Sequence, residues 1–173
     1  MYTVLSTPPT PRRRFLIGLG AALSTTATWA HGPQAHGGPP TAVVREQKPW
    51  GIAGLPEQAR RTIAIRMLDT MRFSPDRFTV REGETVKLRV TNAGKVLHEL
   101  VIGTPEELAA HAAMMQKHPG MVHDEPYMAH VDPGQKGQLV WTFNRPGTFE
   151  FACLIPGHFE AGMTGVITVT PRS

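Results

Sequence analysis

One cysteine stands in the 173 residues, so no internal disulfide can form and the class of small secreted folds stapled by several bridges is excluded. Net charge is scarce as well. The chain carries 18 Lys and Arg against 14 Asp and Glu, but Arg12, Arg13 and Arg14 fall within the first thirty residues, which hold no acid; setting those three aside leaves 15 basic against 14 acidic groups. The basic character belongs to the leader, and a nucleic-acid partner loses its electrostatic footing. No apolar run is long enough for a membrane span. The stretch from Phe15 to Ala30 is interrupted by Gly, Ser and Thr and falls short of the roughly 20 apolar residues a spanning helix needs. Neither a paired-carboxylate motif, a Ser/His/Asp set, a phosphate-cradling Gly loop nor an internal repeat stands out. What remains, at 40% hydrophobic content, is enough for one compact domain.

The leader is informative. Arg12-Arg13-Arg14 precede Phe15-Leu16-Ile17 and a small-residue run ending in Thr28-Trp29-Ala30, which reads as an export signal over 1–30 with the mature terminus at His31. Paired arginines followed by one residue and Phe15-Leu16 resemble a twin-arginine signal; an ordinary Sec signal with a basic front end is the alternative. Both place the mature chain in the periplasm, with no stable membrane insertion once the signal is removed. Residues 31–58 have little apolar periodicity and many Gly and Pro, the pattern of a flexible arm.

From residue 59 to the end the texture is that of one β domain. Ile63, Ile65 and Met67 alternate with polar neighbours in a run continuing towards Phe73. Phe78 to Val80, Thr85 to Val90, Leu97 to Ile102, Gln138 to Phe143, Thr148 to Cys153 and Val166 to Thr170 are separated by Gly, Pro, Asn and Asp turns. One helix interrupts them: Thr104 caps, Pro105 takes the first helical position, and Glu106 and Glu107 fill the first turn before good helix formers run on to Lys117. About seven short strands predict a small all-β sandwich with one helix in an insert at 104–131. Trp50 and Trp141 read as packing residues.

Chemistry gathers in Phe149-Glu150-Phe151-Ala152-Cys153-Leu154-Ile155-Pro156-Gly157-His158-Phe159-Glu160-Ala161-Gly162-Met163. Cys153, His158 and Met163 are five residues apart in each step, where a strand gives way to a Pro/Gly loop. Alternation sends Phe149, Phe151 and Cys153 to one inner face, and the loop can return His158 and Met163 to the sulfur. A thiolate with a thioether favours a soft metal, imidazole suits copper in either oxidation state, and two His with one Cys and a long axial Met is the blue-copper arrangement. Zinc is the chemical alternative, for which a thioether is a poor ligand. The missing histidine should come from a neighbouring strand, and His98 is best placed. Each has a plainer reading: Cys153 and Met163 as core packing, His158 as loop surface, His98 as a satisfied strand-edge residue.

The stretch from about Arg61 to Val169 resembles a cupredoxin, on the first histidine after the Asn92-Ala93-Gly94 segment and the Cys153, His158 and Met163 loop. The loop phrase from Phe151 to Met163, with the His/Met-rich insert, is similar to the bacterial periplasmic copper-tolerance cupredoxins. That resemblance implies a Greek-key sandwich, His98, Cys153 and His158 as equatorial copper ligands and Met163 as the axial one. Glu99 departs from the pattern, since many cupredoxins have Asn or Ser after the first histidine; this leaves potential and colour open.

A second group of donors lies in the insert: His111, Met114, Met115, His118, Met121, His123, Met128 and His130. His111, Met114 and Met115 share a helix face. The plain reading packs the methionines on the sandwich and leaves the histidines in water; the sharper one is an additional, exchangeable copper site. His31 and His36 are a third set, because cleavage before His31 would expose an amine and an imidazole together, although no further donor is identifiable there. The roles that follow are copper tolerance, an electron shuttle between redox partners, or Cu(I) oxidation. Copper ions are the expected ligand, and a periplasmic redox or copper-handling protein the expected partner.

Overall fold

The computed structural model describes residues 45–119, 121 and 123–173; the leader, His31 and His36 lie outside them. Within the described residues the strands run in chain order as β1 (Ile52–Ala53), β2 (Arg61–Leu68), β3 (Arg72–Ser74), β4 (Arg77–Arg81), β5 (Glu84–Asn92), β6 (His98–Gly103), β7 (Met128–Val131), β8 (Lys136–Phe143), β9 (Gly147–Ala152) and β10 (Thr164–Thr170). Helix α1 (Pro105–Lys117) lies between β6 and β7.

Period-two alternation makes two sheets that face each other. One has the order β1-β8-β5-β2-β3, the other β4-β10-β9-β6-β7. The pairs β2–β5 and β4–β10 are parallel and the rest antiparallel, so the chain crosses between the sheets. Val86, Leu88 and Val90 of β5 and Leu139, Trp141 and Phe143 of β8 pack in one core with Leu100, Ile102, Phe149, Phe151 and Ile167 of the other sheet. Each large side chain withdrawn from water there contributes about 1.5–3 kcal/mol.

The sheet that carries β6 and β9 is covered on its outer face too. Val101, Ala152 and Leu154 form a second, smaller core with Leu108, Ala112 and Met115 of α1 and Met128 of β7. This explains why all six residues of β6 are buried. Helix α1 starts where the sequence predicts. Thr104 Oγ1 accepts from the Glu107 N–H at 3.3 Å, and the Glu107 side chain accepts from the Thr104 N–H in return, a reciprocal cap of about 1 kcal/mol.

Three features differ from the sequence reading. The arm expected over 31–58 does not extend to residue 58: Trp50 is buried, its carbonyl accepts from Trp141 Nε1 at 3.1 Å, and β1 pairs with β8. One indole and a two-residue ladder are too short to register as periodicity. The run from Ile63 to Phe73 breaks into β2 and β3 at Asp69–Met71, with Met71 at φ 57°. Finally, β7 is a strand inside the insert, pairing residue for residue with β6.

Candidate metal centre

Two segments from one sheet and a turn from the other deliver the site. Cys153 follows β9 on the face of Phe149 and Phe151, and is fully buried. Its N–H donates to the Met163 carbonyl at 3.0 Å, and the Met163 N–H donates to the His158 carbonyl at 3.0 Å. The loop from Cys153 to Met163 therefore closes on itself. Gly157 at φ 91° and Gly162 at φ 82° allow its two reversals, and the Arg72 guanidinium of β3 donates to the Ala161 carbonyl at 2.8 Å. A Gln116–Glu160 contact ties the loop to α1.

His98 opens β6 after a loop shaped by Asn92. The Asn92 amide donates to the carbonyls of Val96 (2.7 Å) and Val131 (2.8 Å), and its oxygen accepts from the Gly94 N–H at 2.9 Å. A ligand atom from each of His98, Cys153 and His158 lies within 4.8 Å of the others. His158 Nδ1 is 3.2 Å from Cys153 Sγ, and the two imidazole rings are 4.9 Å apart. Met163 is fully buried in the same core as Cys153. Of the four residues singled out in the sequence, the structure brings His98, Cys153 and His158 together, and it sets the Met163 backbone against that of Cys153 at the base of the loop.

Electrostatics fit a metal. His98 Nε2 is 3.1 Å from Asp69 Oδ1. Asp69 is held below its ordinary pKa, first by the Lys95 N–H and then by His98, so it accepts only and the His98 proton sits on Nε2. That leaves a lone pair at Nδ1, which is buried without a hydrogen-bond partner. An orphaned imidazole nitrogen beside a thiol and a second imidazole is the donor set of a borderline-to-soft ion. Burial lowers the His158 pKa, with His98 adding to the effect, and keeps it a neutral donor. Burial also pushes the Cys153 thiol up to about 12, opposed by the Glu99 N–H, which lies 3.4 Å from the sulfur.

Asp69, Asn92 and the reach of Glu99 escape the sequence reading. Glu99 is buried; its Oε1 accepts from the Leu154 N–H at 2.8 Å, stitching β6 to the cysteine loop. Its Oε2 lies 2.7 Å from His130 Nε2, an ion-pair distance without hydrogen-bond alignment, since that oxygen has no aligned donor. The pair raises the His130 pKa.

A model of the copper-binding proteins of the plastocyanin/azurin family matches residues 62–170. The chain belongs to that family. Cupredoxins of this kind include relatives named for copper resistance. A "Copper-resistant cuproprotein CopI" of Rubrivivax gelatinosus is 50% identical over 121 residues, 70% of this chain and 73% of the relative. A protein of the same name from Pseudomonas aeruginosa is 34% identical over 190 residues, 93% of this chain and 96% of its own. Among solved structures, a reduced auracyanin from Roseiflexus castenholzii superposes with TM-score 0.56 at 27% identity, covering 65% of this chain and 99% of its own. Copper is accordingly the metal this cupredoxin binds, and the all-β sandwich read from the sequence is the family fold.

The insert residues separate. Met115 and Met128 pack in the smaller core, Met114 and Met121 are exposed, and exposed His118 ends α1, its N–H donating to the Met114 carbonyl at 3.0 Å. His111, His123 and His130 come together: His123 Nε2 is 2.7 Å from His111 Nε2, and the His123 and His130 rings are 6.3 Å apart. Burial, then His123, lowers the His111 pKa.

Proposed function

We propose that His98, Cys153 and His158 hold one copper ion, through His98 Nδ1, the Cys153 thiolate and a His158 ring nitrogen, with the Met163 thioether as the weak fourth donor, and that the chain serves copper tolerance in the periplasm. The observation that carries the ligand set is the convergence of three buried or half-buried donors within 4.8 Å, with the free lone pair of His98 among them. Copper bound there supplies a one-electron couple between two oxidation states. The protein's own part is rigidity and exclusion of water: β6, β9 and the turn at Asp69 hold the donors before metal arrives, and the core seals Cys153 from solvent.

The tolerance role draws on the relatives named copper-resistant cuproproteins and on the insert histidines, which an electron shuttle does not need. Periplasmic placement draws on the export signal read from the leader; among the described residues no helix is long and apolar enough to cross a membrane. A shuttle is the second reading. It is favoured by the exposed Val96 and Leu97 beside His98, an apolar rim on which a redox partner could settle. Growth in elevated copper tests the choice. A strain lacking the protein should be copper-sensitive, rescued by wild type and not by Cys153→Ser. Normal tolerance together with loss of an electron-transfer step would replace the tolerance reading with the shuttle.

A further inference from the structure

Outside the cysteine site, three histidines and a carboxylate meet on the outer face of the β6–β7 pair. Glu99 and His130 are direct cross-strand partners, which places their side chains on one face. His111 comes from the second turn of α1, and His123 from the segment that returns the chain to β7. The Nε2 atoms of His111 and His123 are 2.7 Å apart, with rings 4.7 Å apart. Two imidazole nitrogens at that distance hold one proton between them, so at least one presents a lone pair towards the other. His123 turns an edge towards His130 at an interplanar angle of 81°, and His130 Nε2 lies 2.7 Å from Glu99 Oε2.

We infer that His111, His123, His130 and Glu99 form a second metal site, for a divalent ion of the Cu(II) type, distinct from the cysteine centre. With metal–nitrogen bonds of about 2.0–2.1 Å, two ligating nitrogens stand about 2.9 Å apart at a right angle and about 3.3 Å apart at a tetrahedral one. The His111–His123 pair needs to open by only a few tenths of an ångström. His130, whose side chain is 31% exposed, has room to turn its Nε2 from Glu99 Oε2 to the ion, and the Oε2 so released is the fourth donor.

The chemistry of the donors names the ion. Imidazole suits copper in either oxidation state, and the hard carboxylate beside the three rings tips the set towards divalent copper or zinc, of which copper binds the more tightly. The insert sulfurs do not enter, since Met115 and Met128 are packed in the smaller core and Met114 and Met121 lie exposed. Glu99 links this site to the first. The same carboxylate holds the Leu154 N–H next to Cys153, so an ion that draws on Oε2 alters the hydrogen bonding around the thiolate.

The test is a Cu(II) titration of the metal-free mature protein, carried out with His31→Ala and His36→Ala in every sample so that the amino-terminal donors take no copper, followed by visible absorption and electron paramagnetic resonance. Wild type should take up two equivalents, one carrying the thiolate band and one adding an electron paramagnetic resonance signal without it. His111→Ala with His123→Ala should reduce uptake to one and keep the band, which also reports that the fold is intact. Cys153→Ser should lose the band and keep the second equivalent. Zn(II) added to one-copper wild type should shift the band, and should not shift it in the double histidine variant. Uptake that stops at one equivalent with the band fully developed would overturn the inference, as would a second equivalent that survives both histidine replacements. Absence of the band in wild type would count against the cysteine centre alone.

Discussion

Cys153 sits in the folded chain as a thiol with its pKa pushed up to about 12, so at neutral pH it is protonated until a metal displaces the proton. His158 starts neutral, because burial depresses its pKa below the ordinary 6.5. Copper must therefore compete with the thiol proton at neutral pH, and with the His158 proton only in acid. Loading with Cu(II) at pH 7 to 8 should release about one proton per copper from this site. The affinity should rise about tenfold per pH unit there, and the dependence should steepen towards two protons below the depressed His158 pKa. A pH-indicator titration of the His111→Ala, His123→Ala protein isolates this centre. Affinity independent of pH between 7 and 8 would mean that Cys153 is already a thiolate before metal arrives.

At the scale of elements, the turns position the site and the strands bear the load. The turn between β2 and β3 presents Asp69 to His98, and the loop before β6 folds so tightly over it that a Cβ on Gly94 would lie 1.8 Å from Asp69 Oδ1. Gly94→Ala must push Asp69 off His98, and Asp69→Asn removes the charge while keeping the shape. Both should leave the fold standing, lower copper affinity by about 10–100-fold, the range for outer partners of ligating histidines, and raise the reduction potential by making His98 a weaker donor to Cu(II). Competition against a chelator measures the first effect; affinities within twofold of wild type would show that Asp69 does not position His98.

The same turns mark where sequence stops being legible. Cys153, His158 and Met163 announce themselves because they share one short loop, and α1 because its cap is local. Asp69 reaches His98 across 29 positions, Asn92 reaches Val131 across 39, and Glu99 reaches Leu154 across 55. Residue type and spacing carry no trace of such contacts. Strands β1 and β7 leave no signal in the sequence for a related reason: Ile52–Ala53 and Met128–Val131 are held by their partners β8 and β6 rather than by an alternation of their own.

Over the whole molecule, one sheet serves two purposes. The inner face of β6 and β9 builds the sandwich core and the cysteine pocket, while the outer face, roofed by α1, carries the insert histidines. Glu99 on β6 touches both. The sandwich is thus a fixed frame around buried Cys153, the residue whose thiolate we propose bonds the copper. Visible absorption of the Cu(II)-loaded protein, wild type beside Cys153→Ser, tests that bond most directly. Wild type should show an intense thiolate-to-Cu(II) charge-transfer band and the variant none; a wild type without the band, or a variant that keeps it, would contradict copper ligation by Cys153.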